Sequence, residues 1–85
     1  MLNLTEFRTW LKQNTLYSPS VISDTISRMK RADSIHPWDG TETYLFYLER
    51  KPDFQQLSCS VRSQIRKAVG LYDAFLSANT PADAI

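Results

Sequence analysis

The sequence has few of the residues that build catalytic and metal sites. Its 85 residues include one cysteine, Cys59, and one histidine, His36. A structural zinc site needs about four such ligands, and a disulfide within the chain needs a second cysteine, so both are excluded. We expect His36, in a turn, to be a surface residue and Cys59 to pack as a small apolar residue at a helix start. The single cysteine also favours a reducing compartment.

Motifs for phosphate or acyl chemistry are missing as well. The chain contains no glycine-rich phosphate loop and no Gly-x-Ser-x-Gly elbow, and its carboxylates are scattered along the sequence. We therefore expect a protein that is not an enzyme and that takes no metal, no other cofactor and no small-molecule substrate.

Long apolar runs and a strong charge bias are absent too. No stretch approaches the roughly 20 apolar residues of a membrane span, and the first residues lack a signal-peptide layout. The sequence thus predicts a cytoplasmic protein with no membrane partner. Its net charge is only +1, so affinity for nucleic acid would have to come from local basic clusters.

Proline and capping residues divide the chain into helical segments. Asn3 and Glu6 predict a capping box for a first helix that ends near residue 14. Ser18 followed by Pro19 predicts the start of a second helix, which we expect to end near Asp33.

Two further helices follow a turn around Gly40. Asp39 or Thr41 is the expected cap of the third, which ends before Pro52. We expect the next residues to form a loop that Phe54 and Leu57 anchor against the core. Ser58 or Ser60 is the expected cap of the fourth and longest. The prediction is an all-α, compact four-helix orthogonal bundle, with a single domain over residues 1–78 and a frayed tail over 79–85.

Apolar residues at helical spacing predict which faces are buried. The predicted core positions are Leu4, Phe7 and Leu11; Ile22, Ile26 and Met29; Tyr44, Leu45 and Leu48; and Val61, Ile65, Ala68, Val69, Tyr72 and Leu76. Five aromatic residues exceed what these stripes need: Trp10, Trp38, Phe46, Tyr47 and Phe75. They either wrap the core or, if exposed together, form a patch that docks onto a protein partner.

Basic residues interleaved with serines mark the second and fourth helices. The candidate contacts are Ser20, Ser27, Arg28, Lys30, Arg31, Arg62, Ser63, Arg66 and Lys67. Arginine, lysine and serine side chains bind the phosphates of a duplex, so a shared surface would hold DNA. The alternative interpretation is a solvated face that keeps the domain soluble.

The order of these motifs is similar to that of a known family. The matching residues are Phe7, Trp10 and Leu11; Tyr17, Ser18, Pro19, Val21 and Ile22; Tyr44, Leu45 and Leu48; and Leu57, Ser58, Val61, Leu71, Tyr72, Phe75 and Leu76. Together they resemble the SAM-like core-binding domain that precedes the catalytic domain of tyrosine recombinases and phage integrases.

The resemblance implies a DNA-binding module that clamps a duplex with its second and fourth helices. The recombinase catalytic residues have no counterpart here, and Tyr17, Tyr44, Tyr47 and Tyr72 have the pattern of packing residues. The chain is then either a fragment of a longer recombinase or a free-standing domain. The alternative function is a small interaction adaptor or regulator, of phage or defence-system type, that binds a protein partner.

Overall fold

The computed structural model describes residues 2–78, which form α-helices and no strand. The helices are α1 (Leu4–Asn14), α2 (Pro19–Ile35), α3 (Tyr44–Arg50), α4 (Pro52–Gln55) and α5 (Cys59–Ala78). The predicted all-α class is confirmed. Within this part of the chain no helix combines the length and apolar composition that a membrane span requires. The tail expected to fray, 79–85, lies outside the described residues.

The structure has one helix more than the four predicted, a single turn after Pro52. The segment expected to be a loop after Pro52 forms α4, and the longest helix is therefore α5. Pro52 occupies the first helical position, where its missing N–H costs nothing. The carbonyl of Lys51 accepts hydrogen bonds from the backbone N–H groups of Phe54 and Gln55, both at 3.0 Å. This turn places the Phe54 ring in the core.

The start of α1 is held by α5 rather than by a full capping box. The Asn3 side chain accepts from the Glu6 backbone N–H at 3.4 Å, as predicted. The Asn3 backbone N–H, however, donates to the Tyr72 hydroxyl at 2.9 Å, which replaces the expected return bond from Glu6. The buried Tyr72 of α5 thus holds the start of α1 in place.

The helix α2 begins as predicted and ends two residues later than predicted. Ser18 accepts a hydrogen bond from the Val21 backbone N–H at 3.3 Å, and Pro19 is the first helical residue. Pro37 forces only the residue before it, His36, into an extended conformation, so the helix continues to Ile35.

The expected caps of α3 close the preceding turn instead. The Asp39 carboxylate accepts from the Thr41 backbone N–H at 3.0 Å and from its hydroxyl at 2.8 Å. These two hydrogen bonds, the backbone one first, lower the pKa of Asp39. Gly40 supplies the positive φ of 74° that the turn needs. The helix begins only at Tyr44, after Thr43, whose side chain makes no capping bond.

The core lies where α1, α2 and α5 meet, with α3 and α4 covering it. Its buried members are Phe7, Leu11, Ile22, Ile26, Met29, Ala32, Tyr44, Leu48, Phe54, Ile65, Val69, Tyr72 and Phe75. The helices α2 and α5 form the most extensive pair and so set the shape of the surface above them.

Candidate nucleic-acid interface

Two adjoining pockets form a groove between α2 and α5 on the surface of the molecule. One part is lined by Ser27, Arg28 and Arg31 of α2 and Gln64 of α5, and it has a volume of about 270 Å³. The adjoining part shares Arg28 and Gln64 and adds Lys67. We call this feature the α2–α5 groove.

Three cations of the α2–α5 groove form no ion pair with a carboxylate of residues 2–78. Arg28 is half-buried, while Arg31 and Lys67 are exposed, and none of them forms an ion pair within residues 2–78. The Lys67 ammonium lies 5.5 Å from the centroid of the Tyr17 ring. Asp24 is the one carboxylate among the described lining residues. The groove therefore carries a local excess of positive charge.

The predicted serines differ in their relation to the groove. Ser27 lines it, whereas Ser20 and Ser63 are exposed but are not lining residues. Ser20 lies two turns before Ser27 on the same outer side of α2.

The predicted contact Lys30 lies on the other side of α2. That side faces α1, because the Arg8 guanidinium donates to the Ser23 hydroxyl at 3.4 Å. Lys30 follows Ser23 by two helical turns and is exposed. It is therefore separate from the groove.

Arg66 faces α3 and α4, and Arg62 lies one turn before it on α5. The Arg66 Nε atom lies 3.4 Å from Glu49 Oε2, and its guanidinium lies 5.7 Å from the centroid of the Phe54 ring. Arg62, one turn earlier, is half-buried, and its Nε is buried without a hydrogen-bond partner among the described residues. Neither Arg62 nor Arg66 is among the residues that line the α2–α5 groove, and Arg66 is already paired with Glu49.

Tyr17 is a groove residue that is missing from the predicted contacts. It was predicted to be a packing residue, and it does pack in part against the core. Its ring also lines the groove and lies beneath Lys67. The sequence does place Tyr17 directly before the Ser18–Pro19 start of α2, which indicates that its ring lies near this helix.

The surplus aromatic residues mostly wrap the core. Phe75 is only 2% exposed, and Trp10 and Trp38 are partly buried against the core. Phe46 and Tyr47 remain 53% and 51% exposed, with their rings edge to face at 5.3 Å. The predicted docking patch is thus reduced to two neighbouring residues of α3.

The expectations for His36 and Cys59 are corrected by the structure. His36 is half-buried and stacks on the Tyr44 ring at 5.1 Å, with Nε2 3.7 Å from Asp39 Oδ2. Cys59 is exposed at the first position of α5 rather than packed. Over residues 2–78, no three His, Cys, Asp or Glu side chains form a group that could hold a metal ion.

Comparisons with protein-family models, with curated proteins and with solved structures find no match to this chain. The resemblance to recombinase core-binding domains therefore stays a prediction. The geometry of the groove remains the basis for assigning a function.

Proposed function

We propose that this protein binds duplex DNA through the α2–α5 groove and catalyses no reaction on it. The observation that carries the proposal is the arrangement of Arg28, Arg31 and Lys67 around one groove without carboxylate partners. An arginine that is not already paired keeps its planar fork of donors for a phosphate.

Neutral groups beside the cations support the same function. Ser27 and Gln64 line the groove, and their hydroxyl and amide groups donate to phosphates or to base edges. Only three cations are available, so we expect weak binding with little sequence preference, with a Kd on the order of 10⁻⁴ to 10⁻⁶ M. This role agrees with the cytoplasmic location predicted from the sequence.

The proposed contact set leaves out Lys30, Arg62, Ser63 and Arg66 of the predicted contacts and adds Gln64. It contains Ser27, Arg28, Arg31, Gln64 and Lys67, with Ser20 extending the same outer side of α2. Arg66 is committed to Glu49 and Phe54, so we expect it to contribute to folding rather than to DNA binding.

A second candidate function is docking onto a protein partner through α3. The exposed rings of Phe46 and Tyr47 favour it, together with the Arg50 guanidinium 4.1 Å from the Phe46 ring centroid. Aromatic and arginine side chains are enriched at protein interfaces. Such a complex would survive moderate salt, unlike binding that depends on phosphates.

A pair of double charge reversals tests the DNA proposal. The test variant is R31E/K67E, and the matched control is K12E/K51E, which changes exposed, unpaired lysines away from the groove. Both variants lower the net charge equally, from +1 to −3. We expect the test variant to bind a fluorescent duplex at least about tenfold more weakly than the control at low salt. Circular dichroism verifies that both variants are folded.

Equal weakening by the two double variants would assign the effect to net charge and would overturn the proposed site. Unchanged binding in R31E/K67E would overturn it as well. A complex with a protein partner that is lost on Phe46→Ala, with no duplex binding by the native chain, would favour the second candidate.

A further inference from the structure

A second cavity lies on the side of α5 turned away from α2. It has a volume of about 90 Å³ and is lined by Trp38 and Glu42 from the segment before α3, by Leu45 of α3, and by Gly70 and Asp73 of α5. We call it the Trp38 cavity. The α2–α5 groove shares none of these residues, so the two features are separate.

The indole of Trp38 forms a fixed wall of the Trp38 cavity. Its ring meets Tyr44 at 4.7 Å and Tyr72 at 5.2 Å between centroids, both edge to face. Its backbone N–H donates to the Asp33 carboxylate at 2.8 Å. Because ring and backbone are both held, the wall is in place before any ligand arrives.

Two lining residues carry uncompensated negative charge. Glu42 and Asp73 are exposed, and neither forms an ion pair among residues 2–78. Arg66, the arginine two turns before Asp73 on α5, is paired with Glu49. The cavity therefore combines an aromatic surface with two available carboxylates.

The packing of this chain does not account for Gly70. Glycine is among the least favourable residues inside a helix, and Gly70 lies well within α5. A Cβ placed there would meet no atom within 4 Å, so no neighbouring group requires its absence. Gly70 lines the Trp38 cavity, and a side chain at this position would enter open space.

We propose that the Trp38 cavity binds an arginine side chain presented by a polypeptide partner. A guanidinium stacks on an indole and pairs with carboxylates, which are the two kinds of surface present here. A nucleic acid would be repelled by Glu42 and Asp73, and a neutral apolar ligand would leave both carboxylates unpaired. The occupant that fits the charge is thus a basic segment of a protein.

A titration with two matched peptides tests this site. The probes are acetyl-Gly-Arg-Gly-amide and its citrulline counterpart, which keeps the shape of arginine but is neutral. We expect saturable shifts of the Gly70 amide and the Trp38 indole signals in NMR spectra with the arginine peptide only. The Kd for one side chain is expected to be on the order of 1 mM.

Variants then assign the binding to the cavity. E42Q/D73N removes both charges and should weaken the arginine peptide by about tenfold or more, while the control E6Q/D53N removes two exposed carboxylates elsewhere and should not. Gly70→Leu fills the cavity with a good helix former and should abolish binding with both charges retained.

Equal binding of the two peptides, or native affinity in both E42Q/D73N and Gly70→Leu, would overturn the proposal. Duplex binding is measured in parallel and should not weaken in these variants. A failure at the Trp38 cavity and a failure at the α2–α5 groove are thus distinguishable.

Discussion

Two neighbouring basic residues of α5 have different surroundings on its two sides. On the side toward α3 and α4, Arg66 pairs with Glu49 and lies near the Phe54 ring. On the side toward α2, the next residue, Lys67, shares a groove with two further unpaired cations. The difference lies in the carboxylates opposite, since Glu49 of α3 pairs with Arg66, whereas Asp24, which α2 brings to the groove, forms no ion pair among residues 2–78.

This contrast shows why the overall charge is a poor guide to binding. The net charge is only +1, yet positive charge gathers at the α2–α5 groove and negative charge at the Trp38 cavity. A nearly neutral chain can therefore offer separate surfaces to anionic and cationic partners.

Among these variants, Phe54→Ala should have the largest effect. Phe54 lies on the side of α5 that α3 and α4 cover. Phe54 is 1% exposed, and its removal leaves a cavity beneath Arg66, so we expect a loss of about 3–5 kcal/mol in the free energy of unfolding. Urea denaturation followed by circular dichroism measures it. The exposed neighbour Gln56→Ala is the control and should change stability by less than about 0.5 kcal/mol. A loss below about 1 kcal/mol for Phe54→Ala would contradict the burial described here.

Tyr44→Phe should have a moderate effect that depends on pH. The Tyr44 hydroxyl donates to the His36 carbonyl at 2.6 Å, so its removal should cost about 1 kcal/mol at neutral pH. Burial, aided by the nearby charges of Asp33 and Asp39, raises the pKa of Tyr44 far above its ordinary value of about 10. The folded state therefore keeps this phenol protonated where the unfolded chain ionises.

The consequence is a loss of stability in alkali. The contribution of Tyr44 is fully present below about pH 10 and declines as the pH rises further, because only the unfolded state then releases the proton. Unfolding curves between neutral pH and about pH 11 should show a smaller alkaline loss in Tyr44→Phe than in the native chain. The control Tyr47→Phe removes an exposed phenol and should keep the native alkaline loss. Identical profiles for all three proteins would contradict the role of burial.

The smallest effect is expected for the ion pair of Arg66 and Glu49. Their side chains are 40% and 39% exposed, so a double-mutant cycle should give a coupling energy of only about 0.2–1 kcal/mol. The corresponding cycle for Arg31 and Asp24, which form no pair, should give about zero. Equal coupling energies in both cycles would contradict the distinction between Arg66, which is held in an ion pair, and Arg31, which is not.

Most of the buried faces could be predicted from the sequence. The spacing of Phe7 and Leu11 in α1 and of Ile22, Ile26 and Met29 in α2 matches one side of a helix, and all five are buried. The helix α4 was not predictable in this way, because a single turn is too short to show a period. Its buried Phe54 was expected only as a loop anchor.

The composition of the candidate site was less predictable than the core. Helical periodicity shows that Arg62 and Arg66 share a side of α5, but not which element packs there. The answer depends on Glu49, which approaches only through tertiary folding. The bond between Asn3 and Tyr72 joins residues 69 positions apart and was equally invisible to local patterns.

The salt dependence of duplex binding is the most direct test of the α2–α5 groove. If Arg28, Arg31 and Lys67 each neutralise a phosphate, a plot of log affinity against log salt concentration should have a slope of about −2.7, falling to about −0.9 in R31E/K67E. A slope near zero for the native chain, or the same slope for both proteins, would contradict DNA binding at this groove.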